Sequence, residues 1–284
     1  MARVLVVGGD GLVGADLTRR LRGSGHDVIA SSRRRGADFH LDLTSPPASL
    51  PKVDAAIVCA AIARLDQCAA DPAGSRRINV IGTLTIARKL VAQGASVVFL
   101  STDKVTDGRR AGFSRHMPTR PLTEYGRQKA EAERELLRLD GDVRILRLSK
   151  VLDASLPLLR DWYGKLTSNQ PVDAFADMYL APVELARVAA LAEALALTSS
   201  RGIYHCTGAV DRPYAALAAT MADVIGAPRD LVRAGHADPE RQPPATRPRH
   251  SSLEMSLERR FFGVSAPKFD TAVTAVTHEL CRSG

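Results

Sequence analysis

Cysteine is scarce: Cys59, Cys68, Cys206 and Cys281 are the only four among 284 residues. They form no C-x-x-C pair and no disulfide-dense spacing, which excludes a stapled secreted scaffold and leaves reduced thiols of a cytoplasmic protein. No apolar run approaches the roughly 20 residues of a membrane span. The opening Ala2-Arg3-Val4-Leu5-Val6-Val7 runs straight into glycines, as a folded strand does and a signal peptide does not. His116, His205, His236 and His250 lack ligand spacing, so no metal site is expected. There is no internal repeat, low-complexity tract or clean linker.

What is present is a core and a positive charge. Hydrophobic residues make up 45% of the chain, enough for one large α/β domain or a domain with a smaller lobe. The net charge of +8 comes from 39 Lys and Arg against 31 Asp and Glu. Those charges are interspersed and no nucleic-acid motif accompanies them, which argues against a nucleic-acid partner. An anionic small molecule in a positive cleft and an arginine-rich solvated surface both remain open.

Short apolar runs at 4–7, 27–30, 55–59, 96–100 and 143–148 read as strands, alternating with helical stretches at 13–22, 75–92 and 124–139. This rhythm predicts a Rossmann-type, doubly wound parallel sheet, an α/β fold with helices on both faces. Residues 1–150 are expected to form the dinucleotide-binding domain. Residues 151–284 are expected to form a smaller substrate lobe, some segments of which return to the main sheet. There, 156–166, 182–196 and 212–225 read as helices, 202–206 as a strand and 237–250 as a Pro- and Arg-rich loop. Further helices begin near Ser256 and Phe269. Trp162 has helical spacing to Leu158, Leu159 and Leu166 and is expected in a core, as is the pair Phe261-Phe262.

The glycines follow a strand and precede a helix. Gly8, Gly11 and Gly14 fit G-x-x-G-x-x-G, and Gly9, Gly11 and Gly14 fit G-x-G-x-x-G. In that context Gly8, Asp10, Gly11, Leu12, Val13 and Gly14 are expected to cradle a pyrophosphate at a helix N-terminus. An acid at the end of the second strand would bind the free ribose hydroxyl of NAD, but none stands there. The strand ends Ser31-Ser32-Arg33-Arg34-Arg35, and Ser32 with Arg33 suits a 2′-phosphate, so NADPH is expected over NADH. A solvated arginine loop is the alternative. Asp42, with Leu43 beside it, is placed to accept from the adenine amino group.

Tyr125 and Lys129 stand four apart on one helix face, and Ser101-Thr102 closes a strand upstream. A phenol with a pKa of about 10 is a poor acid or base at neutral pH, and a nearby ammonium favours its ionised form. Thr102 would polarise a carbonyl, Tyr125 would deliver a proton as hydride arrives, and Lys129 would tune the phenol and hold the nicotinamide ribose. Y-x-x-x-K alone is weak; the glycine turn and the hydroxyl pair give it weight.

With those motifs, 60–83, Ser101–Gly108 and the echo at 247–263, the chain resembles the extended short-chain dehydrogenase/reductases. Within them it resembles the dTDP-4-dehydrorhamnose reductase group. The resemblance implies Thr102, Tyr125 and Lys129 as the reacting set and Ala60 and Ala61 along the cofactor. It implies Ser101, Asp103 and Lys104 facing the substrate, and a homodimer as plausible. Asn79 matches the family's helix asparagine, which supports backbone or water contacts; a plain surface asparagine is the alternative. The implied activity is NADPH-dependent reduction of a keto group on a nucleotide-linked sugar. A related epimerase or dehydratase and a non-catalytic NADP-binding regulatory subunit are the alternatives. Lys104 and Thr106 stand where relatives carry aromatics, and Lys150 where they often carry a small or aromatic residue. Lys104 either meets a more acidic substrate or faces solvent.

Overall fold

β1 (Arg3–Val7) sends Val4 and Val6 to one side and Leu5 and Val7 to the other, and all four are buried. A strand buried on both sides needs helices on both faces of its sheet. The computed structural model, which describes residues 1–283, has them. α1 (Leu12–Gly23) leads to β2 (Asp27–Ser32), the two-residue β3 (Phe39–His40) and β4 (Ala55–Val58). Then come α2 (Leu65–Ala70), α3 (Pro72–Arg76), a π-helical stretch (Arg77–Gly82) and α4 (Thr83–Ala92). β5 (Ser96–Thr102), α5 (Glu124–Leu136) and β6 (Val143–Leu148) complete the first half.

Beyond β6 the elements are shorter. They run β7 (Lys150–Leu152), α6 (Pro157–Thr167), β8 (Val172–Phe175), β9 (Tyr179–Leu180), β10 (Pro182–Glu184) and α7 (Leu185–Ala196). β11 (Gly202–Cys206), β12 (Arg212–Pro213), α8 (Tyr214–Ile225), β13 (Val232–Gly235), α9 (Ser256–Phe262) and α10 (Phe269–Ser283) follow. β11 joins the main sheet, whose order is β11-β6-β5-β4-β1-β2-β3, parallel throughout. The chain winds outward from β1 in one direction and from β4 in the other. The β1/β4 boundary is therefore the switch point, where a crevice opens at the strands' carboxyl ends.

One face of the sheet packs Val4, Val6 and Val98 against Leu17 and Leu21 of α1 and Leu191 and Leu195 of α7. The other packs Leu5, Val7 and Phe99 against Ile86 and Leu90 of α4 and Leu136 of α5. Each such side chain contributes about 1.5–3 kcal/mol by leaving water. A third core gathers Leu159, Trp162 and Leu166 of α6 with Leu217 and Met221 of α8 and Val273 of α10. Among the described residues no helix is long and apolar enough to cross a membrane.

Several elements depart from the sequence reading. The helix expected at 75–92 runs on without a break but starts earlier, because Asp71 caps Gly74 N–H at 2.9 Å and Pro72 opens the first turn. Its middle widens into the π stretch. α5 ends at Leu136 rather than 139. The helix expected from 182 begins at Leu185, since Pro182–Glu184 pairs in parallel with β7. Likewise Arg212–Pro213 pairs with β9 before α8 begins. Phe261 is not in a core: it is 63% exposed, with Arg260 over its ring. Successive helical residues point about 100° apart, and Phe262 alone turns inward, edge-on to Tyr204.

Candidate active site

The glycine turn fits the crevice at the switch point. Gly8 has φ +83°, and a Cβ there would stand 2.9 Å from Cα of Ala60, at the end of β4. A Cβ on Gly14 would run into the Gly8 carbonyl oxygen, so only glycine lets α1 pack this close under the turn. Gly8 and Gly9 N–H both donate to Ser31 O, at 3.0 and 2.8 Å, which fastens the turn to β2. α1 has no side-chain cap and no acid in its first turn, which leaves its leading amides and the positive dipole end for an anion.

Above this turn lies a cavity of about 260 Å³. It brings together Gly8, Asp10, Gly11, Ser32, Arg33, Asp42, Leu43, Ala60 and Ala61, all singled out in the sequence. Leu12, Val13 and Gly14 form the start of α1 and do not line it. Ser32 Oγ accepts from Arg34 N–H at 3.0 Å, and the Arg34 guanidinium lies 3.4 Å from Asp10. Asp42 accepts from Thr44 N and Oγ1, both at 2.8 Å, and these bonds hold its carboxyl below the usual range. Cavity and turn suit a dinucleotide: glycines against backbone, free amides for phosphate, hydroxyl and guanidinium where a 2′-phosphate would lie.

The proposed reacting groups sit where β5 ends. Thr102 Oγ1 donates to Asp103 Oδ1 at 3.0 Å and accepts from Lys104 N–H at 3.2 Å. Lys104 Nζ reaches Asp103 Oδ2 at 2.8 Å, so its ammonium is neither wholly in solvent nor unpaired. Ser101 is committed elsewhere: its hydroxyl donates to Glu133, which is clamped by Arg147 through Nε at 3.0 Å and Nη2 at 2.7 Å.

α5 carries Tyr125 and Lys129 and is preceded by Thr123, whose side chain caps Gly126 N–H at 3.1 Å. Lys129 is buried, donates from Nζ to Leu100 O at 2.6 Å and lies 4.0 Å above the Phe99 ring. Burial pushes its amine down to about 8, against the opposing charges of Glu133, Cys59 and Cys68. Burial likewise pushes Tyr125 above the usual phenol value, reinforced by the negative charge of Asp103. The expected pull of the lysine on the phenol is not among these influences, and at neutral pH Tyr125 holds its proton. Cys59 lines the cavity and its thiol, raised to about 12 by burial, feels the charge of Lys129, which ties the two halves of the site together.

Asn79 lies in the π stretch and is 1% exposed. Its Oδ1 accepts from Ile62 N–H at 2.8 Å, and its Nδ2 donates to Ile62 O at 3.0 Å and to Gln128 Oε1 at 2.8 Å. It makes the backbone contact, not the plain surface alternative. Gln128 in turn donates to Ser75 Oγ at 2.8 Å and Glu124 Oε1 at 3.0 Å. Sequence reading missed Gln128, Glu133, Arg147 and Gly82, whose Cβ would strike Leu43 O. Only Gln128 carried a signal, its place between Tyr125 and Lys129.

The family described as RmlD substrate binding domain matches residues 2–282. A dTDP-4-dehydrorhamnose reductase of Streptomyces griseus is 33% identical over 267 residues, 89% of this chain and 86% of that protein. Methionine adenosyltransferase 2 subunit beta of Danio rerio is 27% identical over 95% of this chain and 88% of its own length. Among solved structures, the dTDP-4-dehydrorhamnose reductase of Bacillus anthracis, in complex with NADP, superposes with a TM-score of 0.83. It covers 98% of both chains at 21% identity.

Proposed function

The chain belongs to the RmlD substrate-binding-domain family, and from that premise we propose that it reduces a keto group on a nucleotide-linked sugar with NADPH. One observation carries the reading: the buried phenol of Tyr125 on α5 feels the charge of Asp103, to which the Thr102 hydroxyl donates at the end of β5. The neighbouring Lys129 acts on Cys59 of the dinucleotide-shaped cavity, which Tyr125, Thr102 and Lys129 do not line directly.

The turn at Gly8–Gly14 would hold the pyrophosphate, Ser32 and Arg33 the 2′-phosphate, and Asp42 the adenine edge. Ala60 and Ala61 would lie along the cofactor. NADPH bound there supplies the hydride. Thr102 would turn its one hydroxyl proton from Asp103 Oδ1 to the substrate carbonyl, so that negative charge growing on that oxygen is stabilised. Tyr125 would then give its proton to the same oxygen. Lys129, fixed by Leu100 O, would lend positive charge as the phenol loses its proton. Asp103 and Lys104 would face the sugar. Residues 1–150 would form the cofactor-binding unit and 151–284 most of the substrate lobe, in a cytoplasmic homodimer that light scattering would measure.

The test is incubation with NADPH and a nucleoside-diphosphate 4-keto-6-deoxyhexose. Stoichiometric NADPH consumption with appearance of the 4-hydroxy sugar is expected. Cofactor that stays bound and is regenerated would instead mean an epimerase or dehydratase. A non-catalytic NADP-binding subunit is a second reading, favoured by the likeness to the Danio rerio beta subunit. It requires tight NADPH binding with no turnover.

A further inference from the structure

Lys150 has no part in the scheme above, yet the fold brings it to the same place as Lys104. β5 and β6 are parallel neighbours with Thr102 opposite Leu148. Lys104 and Lys150 each follow that matched pair by two residues, one in the turn after β5 and the other opening β7, so both stand at the same carboxyl edge of the sheet. One is anchored, since Lys104 Nζ sits 2.8 Å from Asp103 Oδ2. The other is not: among the described residues Lys150 makes no ion pair.

The local charge does not cancel. The one carboxylate that acts on both lysines, Asp103, is already bonded to Thr102 and Lys104. Although Lys150 is exposed as a residue, its amine is crowded: burial lowers its pKa, the charge of Lys104 lowers it further, and Asp103 opposes both. Asp103 also acts on the phenol of Tyr125, so this carboxylate lies near the proposed proton donor. Like charges that act on each other from adjoining segments are relieved by an anion lying between them.

Chemistry decides which anion. In a nucleotide-linked 4-keto hexose the diphosphate hangs from the anomeric carbon, across the ring from the ketone. A carboxylate on C5 lies next to it. Because both lysines are within two residues of the Thr102 level, the group they grip must be close to the reacting carbon. We propose that Lys104 and Lys150 form a carboxylate-binding pair, so that the substrate is of the nucleotide-linked hexuronate class. This rests on the reductase reading for the position of the ketone.

Calorimetry on the NADP-loaded protein tests it with a matched pair, a nucleoside-diphosphate glucuronate and the corresponding glucose, which share the diphosphate. The glucuronate is expected to bind at least ~10-fold tighter, the scale of one charge-assisted contact. Lys150→Met should collapse that ratio toward one, and Lys150→Arg, which keeps the charge, should retain most of it. Equal affinities, no binding of either ligand, or a preference unchanged by Lys150→Met would overturn the pair. Turnover measured on the same samples separates the two readings. Reduction of a neutral 4-keto sugar without carboxylate preference refutes the pair alone, and carboxylate preference without reduction refutes the reductase alone.

Discussion

Asn79 Nδ2 donates to Gln128 Oε1 at 2.8 Å, joining the segment after β4 to the helix that carries Tyr125 and Lys129. Both side chains are 1% exposed, so neither amide has water to turn to. Asn79→Ala should therefore cost about 1–3 kcal/mol, the penalty of stranding a buried polar partner. It should also raise KM for NADPH by releasing Ile62, which lines the cavity. Chemical denaturation and steady-state kinetics measure the two effects; a stable variant with unchanged KM would mean the link is idle.

The cofactor preference rests on Ser32 and Arg33. Arg33→Ala should weaken NADPH by about 1–3 kcal/mol, as a charge-assisted contact is worth, and leave NADH nearly untouched. Fluorescence titration of both cofactors reads this directly. NADH binding tenfold tighter than NADPH in the wild type would reject the assignment.

Lys129 makes stability depend on pH in a definite direction. Its amine is depressed to about 8 in the folded chain against the usual 10.5. Between these values the unfolded chain binds more protons, so the lysine's contribution grows more favourable as pH rises, by on the order of 1–2 kcal/mol by pH ~9.5. Below about 8 it is constant and at its least favourable. Denaturation of the cofactor-free protein should show the wild type gaining on Lys129→Met between pH ~7.5 and ~9.5. A difference that stays flat or falls would contradict the burial of the ammonium.

Glu133 and Arg147 are 3% and 2% exposed and bound through two nitrogens of the guanidinium. Glu133→Ala strands a buried positive charge and should destabilise by ~3–5 kcal/mol. A loss below about 1 kcal/mol, the range of exposed ion pairs, would show that the pair is hydrated.

The strands were legible where burial is two-sided, since runs such as Val4–Val7 and Val97–Leu100 leave no polar face to confuse the reading. The crevice was legible because its glycines, Ser32, Arg33 and Ala60 come from the ends of consecutive elements. The π stretch was not, and the partners its residues meet, Gln128 for Asn79 and the Leu43 carbonyl for Gly82, are far off in sequence. β7 to β10 were missed for another reason: two to four residues are too few for a period to show. Phe261 was misread by treating a dipeptide as one apolar unit. The pairing proposed for Lys104 and Lys150 needed the β5–β6 register, which no local pattern announces.

The most direct test of the central claim compares wild type with Tyr125→Phe on a panel of nucleotide-linked 4-keto sugars, following NADPH consumption. The phenol is the proposed proton donor and its loss leaves the ring in place, so kcat should fall at least ~100-fold while NADPH still binds. Turnover that survives Tyr125→Phe would contradict the mechanism.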